Sequence, residues 1–140
     1  DKIGVPFIHM IKETAKEAAE TLKNEKVGIL ATDGTIETKL YQNALRDEGV
    51  IPCTLDSQGQ GLVMHEIYDR IKAGLPSEDE SWQEIDEKLK EMGCKKALLA
   101  CTELSVIKNE RNLSDYYVDP MEVMADRTLK FMKKNQNKHI

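Results

Sequence analysis

The stretch KKALLACTELSVI, residues 95–107, carries an apolar run directly into a thiol and then into polar side chains. The apolar residues predict a buried strand that ends at Cys101, with Thr102 and Glu103 immediately behind it. In open parallel sheets, ligands bind beyond the carboxyl ends of the strands. A helix beginning near Thr102 would add partial positive charge, which lowers the pKa of a thiol. We therefore expect Cys101 to be a reactive thiol, the alternative being a buried structural cysteine that packs like a small hydrophobic side chain.

The rest of the chain alternates short apolar runs with amphipathic segments. The expected strands are residues 26–32, 49–55, 96–102 and 116–119. The first expected helix ends at Leu22, and the other four cover about 36–46, 61–73, 81–92 and 120–133. The first apolar run, residues 5–11, is expected to be extended, and Ser81 with Glu84 to cap the fourth helix. Continuous apolar strands separated by helices are typical of an α/β fold, a parallel sheet with helices on both faces.

Composition and charge narrow the classes of function. The chain has 140 residues, of which 40% are apolar and 32% charged, as in a single soluble domain. A net charge of −5 without a basic patch argues against nucleic acid as a partner. No apolar run approaches the ~20 residues of a membrane span. Three cysteines without paired spacing indicate a reducing cytoplasm, and the histidines have no metal-ligand spacing.

A second strand end resembles the first. The segment ATDGT, residues 31–35, also follows an apolar run, and Thr32 and Thr35 flank its glycine. A strand, a turn and a helix start present free N–H groups to an anion, and the absence of a phosphate-binding fingerprint favours a small carboxylate. Hydroxyls that only cap the helix are an equally good interpretation. Lys72, beside the apolar stripe of its predicted helix, is either a solvated lysine or a partner for that carboxylate.

Four motifs taken in order resemble the aspartate/glutamate racemase family. They are VGILATDGTIETKLYQNAL (27–45), IYDRIKAG (67–74), LLACTEL (98–104) and YYVDP (116–120). The resemblance is closest to the aspartate racemase branch, because Glu103 follows Cys101-Thr102 where the glutamate branch typically carries histidine.

The resemblance implies an isomerase that inverts aspartate or a related small dicarboxylic amino acid without pyridoxal phosphate or a metal. Family members have two pseudo-symmetric α/β halves, each of which offers one cysteine to an active site between them. One thiolate removes the α-proton while the other thiol protonates the opposite face. Carried over to this chain, Cys101 is one of these acid/base residues. The residues implied to bind the substrate are Thr32, Thr35, Lys72, Thr102 and Glu103.

The first cysteine of the family lies upstream of the segment at which this chain begins. We therefore interpret the chain as a fragment, the C-terminal portion of a two-domain racemase that is inactive without its N-terminal half. In this division residues 1–133 are that portion, with 24–115 as the second α/β domain, 1–23 and 116–133 as connecting or returning segments, and 134–140 as a polar tail.

One further expectation accompanies this interpretation, and two alternative functions remain open. The stripe of Met121, Met124, Thr128 and Met132 on the last helix would contact the N-terminal half, or a second copy in a homodimer. A decarboxylase or isomerase of the same superfamily that uses a single cysteine is an alternative function. A non-catalytic module that binds small carboxylates, with a structural Cys101, is another.

Overall fold

The computed structural model describes residues 4–137 and contains a four-stranded sheet in which every pairing is parallel. The strands are β1 (Lys26–Leu30), β2 (Ile51–Cys53), β3 (Cys94–Leu99) and β4 (Tyr117–Val118), in the spatial order β2-β1-β3-β4. The predicted strands and their parallel arrangement are therefore confirmed, although each strand is shorter than its apolar run.

Seven α-helices and one π-helix surround the sheet within the described residues. They are α1 (Gly4–Leu22), α2 (Asp33–Thr38), α3 (Leu40–Asp47), α4 (Ser57–Met64), the π-helix (His65–Ile71), α5 (Asp79–Glu91), α6 (Thr102–Arg111) and α7 (Pro120–Asn137). The helices lie on both faces of the sheet, as the continuous apolar strands predict.

Successive side chains of β1 point to opposite faces of the sheet and divide the core into two clusters. Leu30 belongs to a first core with side chains of α4, α5 and α6, among them Val63, Ile85 and Leu104. Ile29 belongs to a second core beneath α1 and α3, with Ile11, Ala15, Tyr41 and Leu45. These strand residues are completely buried, so the sheet is covered on both sides.

The prediction that residues 5–11 are extended is wrong. This run is the start of α1. Pro6 sits in the first turn, where a helix tolerates proline because the missing N–H has no helical partner there. Ile11 and Ala15, one turn apart, are both 2% exposed, so this run shares the buried face of the helix that ends at Leu22.

Three helix boundaries also differ from their predictions. The helix expected over 36–46 is divided into α2 and α3 at Lys39, whose φ of 59° is left-handed. The helix expected from residue 61 begins at Ser57, because the Asp56 carboxylate accepts the N–H of Gly59 at 2.8 Å. The fourth helix starts at Asp79, so Ser81 lies inside it and is not its N-cap.

The last helix begins as predicted and ends later. Asp119 caps α7, since its Oδ1 accepts the N–H of Met121 at 2.9 Å. The helix continues to Asn137, so most of the segment assigned to a polar tail is helical. Residues 138–140 of that tail, like residues 1–3, lie outside the described residues.

Candidate functional site

The register of the sheet brings the two strand ends to one edge. Leu30 of β1 is paired with Leu99 of β3, and the N–H of Ala100 donates to the carbonyl of Leu30 at 2.8 Å. Thr32 and Cys101 each follow their paired residue by two positions. They therefore emerge together at the carboxyl edge of the sheet, where an α/β fold binds its ligands.

Cys101 is the N-cap of α6 and lies in a small polar network. Its Sγ donates to Oε2 of Glu103 at 3.0 Å, and the Thr102 hydroxyl donates to the same oxygen at 3.0 Å. The ammonium group of Lys72 lies 3.3 Å from the other oxygen, Oε1. The Glu103 carboxylate thus joins the thiol, the hydroxyl and the lysine. All four residues were predicted as site residues.

The ionisation of this network differs from the expectation for a reactive thiol. Burial, followed by the hydrogen bond and negative charge of the adjacent Glu103 carboxylate, raises the pKa of Cys101 to about 11, although two nearby backbone N–H groups act to lower it. The hydrogen bond from Cys101 in turn lowers the pKa of Glu103 to about 2, with further help from Thr102 and Lys72. The N–H groups at the helix start act to lower the thiol pKa, but burial and the carboxylate outweigh them, so the prediction of a lowered pKa for Cys101 is wrong.

Lys72 reaches this network from the end of the π-helix. Its N–H donates to the carbonyl of Ile67 at 2.9 Å, the five-residue spacing of a π-helix, and its ammonium lies 5.1 Å from the centre of the Tyr68 ring. The connection that follows is fixed by Glu66, a completely buried carboxylate that accepts the N–H of Glu78 at 3.0 and 3.2 Å. π-Helical turns are rare and occur frequently at functional sites.

In the loop of residues 31–35, the threonine side chains are used to cap α2. The Thr32 hydroxyl accepts the N–H of Thr35 at 3.3 Å and lies 3.2 Å from the Thr35 hydroxyl, to which it donates. Gln60 of α4 braces the loop by donating to the Ala31 carbonyl and to the Asp33 carboxylate, both at 2.9 Å. Across residues 4–137, no hydrogen bond or ion pair joins Thr32 or Thr35 to the network of Cys101, so the two parts of the predicted site are neighbours without direct contact.

A cavity of about 200 Å³ lies beside Cys101 and reaches toward α1 and α7. Thr102 and Ser105 contribute polar groups to its wall, and Tyr41 and Asp119 face it from α3 and from the end of β4. Burial, with the charge of Asp119, raises the pKa of Tyr41 to about 12, so its phenol stays protonated. Neither residue was predicted as part of the site, although both lie inside the motifs that carry the family resemblance.

A larger hollow of about 570 Å³ lies between α1 and α7 and contains none of the predicted site residues. Within the part of the chain that the structure describes, there is no group of three or more His, Cys, Asp or Glu side chains placed to hold a metal ion. None of the helices described is both long enough and apolar enough to cross a membrane.

Comparison with known proteins identifies relatives of this chain. The sequence model of the Asp/Glu/hydantoin racemase family matches residues 1–128. An uncharacterized protein of Pectobacterium carotovorum subsp. carotovorum is 27% identical over 117 residues, covering 82% of this chain and 78% of that protein. A glutamate racemase of Oceanobacillus iheyensis is 26% identical over 113 residues, covering 78% of this chain and 39% of the racemase.

Two solved structures have a similar fold. A Picrophilus torridus aspartate racemase matches 79% of this chain and 46% of its own length, with 26% identity and a TM-score of 0.55. An aspartate racemase homologue from Pyrococcus horikoshii OT3 matches 87% of this chain and 54% of its own, with a TM-score of 0.72 and 19% identity. The chain therefore spans about half the length, or less, of the racemases that it matches.

Proposed function

The chain belongs to the Asp/Glu/hydantoin racemase family, and from this premise we propose that it supplies one half of the active site of a cofactor-independent amino-acid racemase. The observation that carries the proposal is the thiol of Cys101 at the carboxyl edge of the sheet, hydrogen-bonded to Glu103 at 3.0 Å. The proposed substrate is aspartate or a related acidic amino acid, since the polar network includes a lysine and hydroxyls suited to carboxylates. The proposed location is the reducing cytoplasm, in keeping with three free cysteines.

Inverting a stereocentre through a planar carbanion needs an acid and a base on opposite faces. With a pKa of about 11, Cys101 is a thiol at neutral pH and acts as the acid. A thiolate contributed by an N-terminal half removes the α-proton on the other face. The Cα–H bond breaks on that side while the Cys101 proton forms the new bond on this side. The reverse reaction starts with the two protonation states exchanged.

The remaining site residues bind and orient the substrate. The ammonium group of Lys72 pairs with a substrate carboxylate. This carboxylate either replaces Glu103, the present partner of Lys72, or binds beside it. The hydroxyl of Thr102, at the start of α6, donates a hydrogen bond to the substrate. Thr32 and Thr35 hold the second carboxylate, with Thr32 continuing to order the loop by capping α2. The Thr32 hydroxyl that caps α2 also fixes the backbone N–H groups of the loop, and these groups are available to an anion.

An N-terminal half of the same protein is the proposed partner. The face of α7 carries exposed apolar side chains, among them Met121 at 59%, Phe131 at 64% and Met132 at 53%. Exposed apolar side chains on one helix are suited to an interface. The partial coverage of the racemase relatives is consistent with a missing half, and a homodimer through the same face is the competing arrangement.

The test is deuterium uptake at the α-carbon of L-aspartate in D₂O. The chain alone should exchange and invert aspartate very slowly, since losing one positioned acid or base costs about 10²–10⁴-fold. Adding the N-terminal half should restore exchange, and Cys101→Ser should abolish it while Cys53→Ser, outside the proposed site, should not. Rapid inversion by the chain alone, or an active Cys101→Ser complex, would refute the proposal.

A non-catalytic carboxylate-binding module is the second candidate. The high pKa of Cys101 and the capping role of Thr32 favour it, because neither feature requires catalysis. Such a module would bind aspartate equally well as wild type and as Cys101→Ser in calorimetry. It would also fail to exchange the α-proton when the N-terminal half is supplied.

A further inference from the structure

The π-helix determines where the side chain of Lys72 lies. The N–H of Lys72 donates to the carbonyl of Ile67 at 2.9 Å, so Lys72 stands one π-helical turn beyond Ile67. Ile67 is completely buried and packs in the first core with Leu104 of α6. Lys72 therefore lies over the face of the π-helix that contacts α6, and its ammonium is 3.3 Å from the carboxylate of Glu103 at the start of that helix.

An α-helical turn would direct the same lysine elsewhere. With four-residue spacing the N–H of Lys72 would donate to the carbonyl of Tyr68, and Lys72 would stand directly over Tyr68. The Tyr68 side chain is 47% exposed, so this side of the helix faces solvent. The extra residue in the π-helical turn therefore rotates Lys72 away from solvent and toward Glu103.

Contacts from outside the helix support this turn, because π-helical hydrogen bonding is rare and needs a local cause. The connection of residues 72–78 folds back along the π-helix. The Arg70 carbonyl accepts the N–H of Leu75 at 2.8 Å, again with five-residue spacing. The carboxylate of Glu66 then accepts the N–H of Glu78, where the connection ends. The π-helix and the connection are thus joined at both ends.

Glu66 forms the buried end of this support. Its side chain is completely buried, and its two oxygens lie 3.0 and 3.2 Å from the backbone nitrogen of Glu78. Releasing Glu78 would leave a buried carboxylate without its partner, which is unfavourable. Glu78 is also held by a bond between its carboxylate and the His65 ring, but both of these side chains are exposed, so that contact is weaker.

We propose that Glu66 is a positioning residue: by holding Glu78, it keeps the preceding turn in the π form and so places Lys72 against Glu103. Across residues 4–137, the Glu66 side chain makes no hydrogen bond or ion pair with Lys72, Glu103 or Cys101, so it acts through the backbone of the connection. Its importance for catalysis rests on the proposed racemase function. Its effect on Lys72 is a property of the chain alone.

The test is the measurement of NMR couplings across hydrogen bonds, which identify the carbonyl that each amide N–H contacts. In wild type, the N–H of Lys72 should couple to the carbonyl of Ile67. Glu66→Met keeps a side chain of similar size and removes the acceptor, so the coupling should move to the carbonyl of Tyr68. Glu66→Gln keeps an amide oxygen that can accept the Glu78 N–H, so the Ile67 coupling should be retained.

Asp69→Asn is the matched control. It removes a carboxylate from the same π-helix at a position whose side chain is 69% exposed. Because Asp69 does not hold the connection, the N–H of Lys72 should still couple to the carbonyl of Ile67 in this variant.

The thiol of Cys101 supplies a second measurement. Without its ion pair with Lys72, the Glu103 carboxylate acts more strongly on the thiol and raises the apparent pKa of Cys101. Lys72→Met and Glu66→Met should therefore raise this apparent pKa by similar amounts, up to about one unit. The double variant should show no further rise, whereas a merely structural role for Glu66 would give additive changes.

A wild-type Lys72 N–H that couples to Tyr68 would overturn the proposal. The same holds for an Ile67 coupling that survives in Glu66→Met or is lost in Glu66→Gln, and for additive pKa shifts in the double variant. Should Glu66→Met fail to fold by circular dichroism, insertion of a glycine after Gly74 decides the question. It slackens the connection without changing Glu66, at a residue with a φ of 79° and open space around it.

The glycine insertion should lose the coupling between Lys72 and Ile67, and its retention would overturn the proposal. None of these measurements uses racemase activity. They therefore succeed or fail separately from the proposed function.

Discussion

Replacing Glu103 with glutamine should make Cys101 more reactive, because it removes a negative charge that acts together with burial to hold the thiol protonated. With a pKa of about 11, only about one Cys101 in a thousand is ionised at pH 8, against about a quarter of thiols at the ordinary value of 8.5. A neighbouring charge shifts a pKa by about 1–3 units. Each unit of decrease raises the thiolate population tenfold and lowers its intrinsic nucleophilicity by about threefold, for a net gain of about threefold to fourfold.

The assay is the rate of alkylation by iodoacetamide from pH 7 to 11, with Cys101 followed by peptide mapping. Wild type should show an apparent pKa near 11, and Glu103→Gln a lower one, with burial still holding it above the ordinary value. Glu110→Gln is the matched control: it removes a carboxylate from the same helix, at a position whose partner is Ser77. It should leave the Cys101 profile unchanged.

Two results would refute this reasoning. A wild-type Cys101 that titrates at or below pH 8.5 would mean that the helix N-terminus dominates after all. A Glu103→Gln variant that reacts more slowly than wild type would mean that the carboxylate promotes ionisation of the thiol. Either outcome would also remove the assignment of Cys101 as the acid in the proposed mechanism.

Four other variants test the packing and the charges. Gly28→Ala should destabilise the fold by about 1–3 kcal/mol in urea titrations, since its Cβ would stand 2.5 Å from Leu89. Gly61→Ala should instead stabilise α4 by about 0.5–1 kcal/mol, because nothing lies within 4 Å of its Cβ. Because the pKa of Glu103 falls from 4.5 to about 2 on folding, its stabilisation is complete above pH 4.5 and is lost as the pH falls toward 2, so Glu103→Gln should flatten the acid limb of the stability profile. Arg127→Ala should speed hydrogen exchange in α1, because its guanidinium joins three carboxylates of that helix to α7.

The sheet and the edge that carries the site could be predicted from sequence. The apolar runs that contain Leu30 and Leu99 are continuous, as strands buried on both faces require. Once these strands are parallel and paired, Thr32 and Cys101 must emerge at the same edge. Local pattern and the general rules of α/β sheets were sufficient for this part of the structure.

The helix boundaries and the thiol ionisation could not be predicted in this way. Pro6 is compatible with a strand edge and with a first helical turn, and only the burial of Ile11 against the second core decides between them. The size of the upward shift in the Cys101 pKa depends on which way Glu103 points, because its carboxylate adds to the effect of burial. A charged residue after a thiol can turn toward it or toward solvent. The hydrogen bond of Glu103 with Thr102 and its ion pair with Lys72 determine the direction here.

The same carboxylate would couple substrate binding to the protonation of Cys101 in the proposed mechanism. In the free chain, Lys72 partly neutralises Glu103 through their 3.3 Å ion pair. A substrate carboxylate that takes Lys72 leaves Glu103 with less positive charge nearby, so its negative charge acts more strongly on the thiol. Nearby negative charge raises a thiol pKa. Binding therefore keeps Cys101 protonated until the carbanion forms, which is the state that the acid of a two-face proton transfer requires.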